Sequence, residues 1–130
     1  MDTLDLYRAA LRGIPQDCPW VEMESRGVQA AMADGFVPVE PKSLTVGAIL
    51  VHPTRVYDLF GSDSPLHRLL DDKSHVDSPV AAEGEIGSLW GAKIIALAEV
   101  PGRRVVLISK ERDREGFPRG FAKIYLPPLE

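Results

Sequence analysis

A chain of 130 residues lies at the commonest size for one folding unit, and 45% apolar with 26% charged residues excludes a largely disordered polymer. Residues 1–100 carry 8 basic and 15 acidic side chains, residues 101–130 carry 7 and 4, and the net charge of −4 excludes a general polyanion binder. The longest apolar runs, residues 46–51 and 94–98, fall far short of the about 20 residues needed to cross a bilayer. One domain over residues 1–130 is expected, with a helical N-terminal part at 1–44 and a core at 45–126. A chain of this size buries roughly two thirds of the surface it exposes when unfolded, so no disulfide or structural metal is required.

Asp2 or Thr3 can cap a first helix. Leu4, Tyr7 and Leu11 at i, i+3 and i+7 form its apolar stripe, and Gly13 stops it. Pro15 and Pro19 mark a turn region around Cys18, with Trp20 packed nearby. Residues 22–34 have helical composition, with Val28, Ala31 and Met32 on one side and Gly35 at the stop. Pro38 and Pro41 make residues 36–44 an extended connector.

Residues 45–51, a continuous β-branched and apolar run, read as a strand buried on both faces. It ends at His52-Pro53. Pro53 suits the first position of a helix carrying Val56, Tyr57 and Phe60, because the N–H it lacks has no partner there. Ser64-Pro65 opens a second short helix with Leu66, Leu69 and Leu70, followed by a polar loop over residues 71–79. Residues 84–90 lead into a strand at 92–100. Pro101-Gly102 then turns the chain into a strand at 105–109, a hairpin signature. Residues 110–120 are a charged loop, and residues 121–126 alternate as a half-buried strand ended by Pro127-Pro128. Helices early and strands late predict an α+β domain with a small mixed or mainly antiparallel sheet and two helices over one face.

Residue types that could carry chemistry do not form a recognisable set. His52, His67 and His75 include no pair at i, i+4, the spacing that aims two ligands from one helical face. His67, Asp71, Asp72, His75 and Asp77 together read as a polar loop before they read as a metal site. The segment 84–93 holds Gly84, Gly87 and Gly91 but lacks the order of a phosphate loop and leads into a strand. Ser62, Ser64 and Ser88 lie in no nucleophile elbow. Cys18, between Asp17 and Pro19, has no cation beside it in sequence to activate it and reads as a buried or incidental thiol. Arg55 could bind an anion at a helix start but reads first as a surface arginine. The alternating charges of residues 110–115 oppose phosphate binding, so specific nucleic-acid recognition is not expected. No catalytic residue, cofactor or metal is therefore expected. The lone cysteine and the want of a charged-then-apolar leader predict a reducing compartment.

Residues 48–60, Ala-Ile-Leu-Val-His-Pro-Thr-Arg-Val-Tyr-Asp-Leu-Phe, resemble the strand–(His/Asn)-Pro–helix segment of tailed-phage major capsid proteins and of the related encapsulin shells. Residues 87–101, Gly-Ser-Leu-Trp-Gly-Ala-Lys-Ile-Ile-Ala-Leu-Ala-Glu-Val-Pro, resemble the glycine-bounded run of the same family that ends in Val-Pro and precedes a strand such as 105–109. The order and separation of the two blocks also fit. The resemblance implies that residues 45–126 correspond to the axial domain of that fold, whose tips meet around pentamer and hexamer axes. The first 44 residues supply no helix as long as that family's spine helix. The resemblance further implies a prophage-derived or encapsulin-like structural protein of the virion or cytoplasm. It would self-assemble into rings, with other capsid components as further partners, and would not be an enzyme. Two other readings stand beside it: an adaptor that uses the same fold without a shell, and a small enzyme with a cleft near His52 and Arg55.

Overall fold

The computed structural model describes residues 3–33, 45–72, 83–116 and 118–127. Helix α1 (Thr3–Arg12) is followed by strand β1 (Trp20–Glu22), helix α2 (Ser25–Ala33), strand β2 (Val46–Val51), a 3-10 turn at Pro53–Arg55 and helix α3 (Val56–Phe60). A second 3-10 turn (His67–Leu69) leads into β3 (Leu70–Asp72), and then come β4 (Gly84–Leu89), β5 (Ala92–Ala96), β6 (Arg104–Ser109) and β7 (Phe121–Tyr125). Among the described residues, seven strands form one sheet in the order β1-β7-β6-β2-β5-β4-β3. Its β1–β7 and β2–β5 pairings are parallel and the others antiparallel, which makes this an α+β domain with a mixed sheet.

Alternation along β2 sends its residues into two separate cores. Ile49 and Val51 join Ile94, Val105, Leu107 and Ile124 beneath α2 and α3, where Val28, Met32, Leu59 and Phe60 close the layer. Ala48 and Leu50 join Ile95, Val106 and Ile108 beneath α1, covered by Tyr7 and Ala10 with Leu4 and Leu11 at the margin. The buried-on-both-faces pattern of β2 therefore has a direct cause: helices lie on both sides of it. Two helices do share one face, but they are α2 and α3, and α1 covers the other.

Several expectations are corrected. The second helix starts at Ser25, because Glu22 belongs to a strand that pairs with β7 near the far end of the sequence. Trp20, at the start of that strand, is 57% exposed. Ser64-Pro65 opens only a 3-10 turn. Leu70 and Asp71, placed in a helix and a loop by the sequence, begin the edge strand β3. The hairpin joins β4 to β5 through Trp90-Gly91. β5 and β6 do not pair, since β2 lies between them, parallel to β5 and antiparallel to β6. Leu97 to Pro101 is accordingly a corner that carries the chain past the end of β2 and not a hairpin tip, with Leu97 N donating to Val51 O at 3.0 Å. β7 is buried from Ala122 to Ile124 and not half-buried, because β1 extends the sheet beyond it. The extended connector at 36–44, the Gly35 stop and most of the 71–79 loop lie outside the described residues.

Candidate functional site

Arg55 is 2% exposed, not a surface residue. The 3-10 turn that Pro53 initiates swings its side chain beneath the domain's end. There Nε donates to Gly102 O at 2.7 Å, Nη2 donates to Pro127 O, and Nη1 meets Asp58 Oδ2 at 3.1 Å. Asp58 Oδ2 also accepts from Ser25 Oγ at 2.6 Å, and the Asp58 carbonyl accepts from Gln29 Nε2 at 2.8 Å. One guanidinium thus ties α3 to the corner before β6 and to the chain after β7, while its carboxylate partner ties α3 to α2. A guanidinium suits this work because its planar fork presents several donors in fixed directions. These bonds take one donor from each guanidinium nitrogen, and burial leaves little of the group open to an anion from solvent.

His52 is the cap of the same turn. Its Nδ1 accepts from Thr54 N at 3.2 Å and lies 2.8 Å from Thr54 Oγ1, which puts the proton of the neutral ring on Nε2. His67 Nδ1 lies 3.1 Å from Phe60 O and donates to it. Ser64 Oγ donates to Leu59 O and accepts from Leu66 N, so it shapes the turn. Ser62, Asp63, Ser64, Pro65, His67 and Arg68 line an open depression of about 380 Å³. Ser88 pairs across β4 and β5 with Lys93. His75 and Asp77 lie outside the described residues, and among the described residues no three His, Cys, Asp or Glu side chains are grouped to hold a metal ion. Among them also, no helix is long and apolar enough to cross a membrane.

The glycine segment is the β4–β5 hairpin. Its two-residue turn places both Trp90 (φ 57°) and Gly91 (φ 79°) in the left-handed region, the mark of a type I′ turn. Gly91 adopts this freely. A tryptophan there carries a backbone penalty, yet it is 64% exposed and gains no compensating burial. Asp71 steadies the turn by accepting from Gly91 N at 2.9 Å. Strand register sets Leu70 opposite Leu89, and the half-exposed Leu69 adjoins the same tip.

At the opposite edge, β1, β7 and β6 aim Trp20, Lys123, Tyr125 and Arg104 at the same side of the sheet. The Trp20 ring meets Tyr125 edge-on at 5.1 Å. The Arg104 guanidinium lies 5.2 Å from the Tyr125 centroid and donates to its hydroxyl at 3.2 Å, and Lys123 Nζ lies 6.0 Å from the same centroid. Among the described residues, Lys123, which is 9% exposed, has no carboxylate within ion-pair distance, and the buried Nε of Arg104 has no acceptor. Cys18 is buried beside them. Burial pushes its thiol pKa up, against the opposing pull of Lys123 and Arg104. The sequence hid those two cations, since they come from the distant strands β6 and β7.

On α1, Arg8 gathers three carboxylates: Glu99 at 2.9 Å, Asp5 at 3.1 Å and Glu83 at 3.1 Å. This clamps the helix to the corner after β5. Glu99 is held below its ordinary value, first by its own backbone N–H and then by Arg8.

No family model, no curated protein and no solved structure matches this chain.

Proposed function

We propose that the chain is a structural module that self-associates around a rotational axis, in the manner of an axial domain of a phage-type capsid or encapsulin subunit, with its edges as working parts. One observation carries the reading. Two tryptophans stand exposed in opposite halves of the sheet, one on the edge strand β1 and one on the strained β4–β5 turn, whereas Arg55 and His52, the best candidates for chemistry, are committed to holding the fold. Exposed tryptophan is costly to leave in water and is among the residues that dominate association energetics. The resemblance of residues 48–60 and 87–101 to shell proteins supports the same reading.

Sedimentation velocity from about 1 to 500 µM, a range spanning weak association of about 8 down to 4.5 kcal/mol, tests it. Growth of discrete ring-sized species is expected, and electron microscopy of that fraction should show five- or six-fold particles. A strict monomer across the range overturns it.

A further inference from the structure

The two ends of the sheet carry unlike charged groups: two cations with Glu22 beside them towards β1, and two carboxylates with Lys93 beside them towards β3. On the β1 side stand Lys123 and Arg104. On the β3 side stand Asp71, exposed, and Glu85, which reaches Lys93 only at 4.0 Å with both side chains half exposed. Ile95 fixes the facing of Glu85, which pairs with it and so lies on the side of the α1 core, while Asp71 sits at the irregularity between Leu70 and Asp72 in the β3–β4 pairing and turns its carboxylate to Gly91 N. Lys123 pairs with Val106 of that same core. At about 4.8 Å per strand, Arg104 on β6 and Glu85 on β4 lie roughly 14 Å apart and Lys123 on β7 and Asp71 on β3 roughly 24 Å, beyond the screening length of about 8 Å in physiological salt. The two groups cannot neutralise each other within one chain.

Resting on the self-association proposed for this chain, we propose that the β1 edge of one copy receives the β3 edge of the next. In this contact a carboxylate of Asp71 or Glu85 accepts from Lys123 and Arg104, and Trp20 packs against the Trp90 tip. Three features point to this partner. A largely covered lysine with no carboxylate in ion-pair distance and a guanidinium whose buried Nε has no acceptor, both judged among the described residues, favour an incoming oxyanion, the orphaned N–H most of all, because a buried donor is costly to leave unmet. The exposed Asp17 and Glu22 flank the site and cancel its longer-range field, which selects a single carboxylate over a polyanion such as nucleic acid. Lys123, Arg104 and Glu85 face the α1 side, so copies placed edge to edge keep that face on one side, as a closed ring requires. The contact joins two different patches and is heterologous, the kind that closes rings.

The test uses the full chain and two variants. Trp20→Glu supplies a carboxylate to Lys123 and Arg104 from the same chain, and Asp71→Lys reverses the acceptor edge. Each variant alone is expected to lose self-association at least tenfold. A mixture of the two retains one intact pair of edges, so it should form 1:1 heterodimers that do not grow. Circular dichroism melts verify folding. Should Trp20→Glu prove unfolded, Lys123→Gln takes its place with the same expected loss. Wild-type association unchanged in the variants, or variant mixtures that stay monomeric, overturns this interface while leaving self-assembly standing. A wild-type chain that is monomeric throughout overturns both.

Discussion

Replacing Arg55 by methionine removes a buried fork while keeping a flexible apolar stem of similar reach. The loss leaves Gly102 O and Pro127 O without their donor and Asp58 without its cation. A hydrogen bond to a charged group contributes about 1.5–3 kcal/mol, and breaking one partner out of a buried ion pair costs about 3–5 kcal/mol. Asp58 keeps its bond from Ser25, and its side chain is 31% exposed, so water meets part of the loss. The expected destabilisation is therefore about 3–5 kcal/mol rather than the sum of the individual bonds. Unfolding entropy of about 2.1 cal/mol/K per residue gives about 0.27 kcal/mol/K for 130 residues, so Tm should fall by about 11–18 °C. Arg55→Lys keeps the charge but not the fork and should recover less than half of the loss. Thermal melts followed by circular dichroism and urea titration at 25 °C both read this. A methionine variant within about 1 kcal/mol of wild type would refute the role assigned to Arg55 in joining the corner before β6 to the end of the chain.

Trp90→Asn should raise stability by about 1 kcal/mol, because asparagine tolerates the left-handed backbone and little packing is lost at an exposed tip; a destabilised variant in urea titration would show that the indole packs on its own chain. Gly47→Ala should cost about 1–3 kcal/mol, since its Cβ would sit 2.8 Å from the Lys110 Cα where the chain after β6 closes on β2, and a neutral result in the same assay would show that the backbone there yields freely. Glu99 is a carboxylate whose folded pKa is depressed, so its contribution is complete above the ordinary carboxylate value of 4.5 and is lost as pH falls through the lower folded value. The stability gap between wild type and Glu99→Gln should accordingly narrow from pH 6 towards pH 3, and a gap that stays constant over that window would remove both the backbone N–H and the Arg8 clamp as its source.

Local features were legible in the sequence. The β2 run shows its burial on both faces because it is continuous and β-branched, and Pro53 marks the turn because proline's missing N–H is harmless there. The apolar positions of α1 and α2 follow helical spacing and land in the two cores. Non-local pairing was hidden. β1 is three residues long, too short for a period-2 signal, and exists only because β7 offers an edge. The sequence points to the wrong hairpin because Pro-Gly is a stronger turn signal than Trp-Gly, whose first residue is not one that a type I′ turn ordinarily selects. Arg55 and Asp58 stand at i, i+3, a spacing equally at home on a solvated helix, so nothing in the sequence announced a buried pair. The cationic edge was invisible for a like reason: Lys123, Arg104 and Trp20 come from three strands, two of them far from the third in sequence.

The form of the edges limits how copies of this chain could join. Among the described residues both outermost strands, β1 and β3, span three residues, and β1 is preceded by Pro19, whose nitrogen cannot donate. Short and proline-flanked edges are how sheets avoid unregulated extension, because few main-chain groups remain to template another strand. Main-chain pairing across such edges would supply only a few hydrogen bonds, too little to set register or strength. Specificity must then come from side chains, and those placed to supply it project from the edge and its neighbouring strands: Trp20 with Lys123 and Arg104 at one end, Trp90 with Asp71 at the other. The central strands, packed on both faces, hold these groups at a fixed separation that loops alone could not keep. For the association proposed above, a rigid centre with short, chemically unlike ends fits a directional side-chain contact better than open-ended sheet growth, with closure set by the rotation between copies.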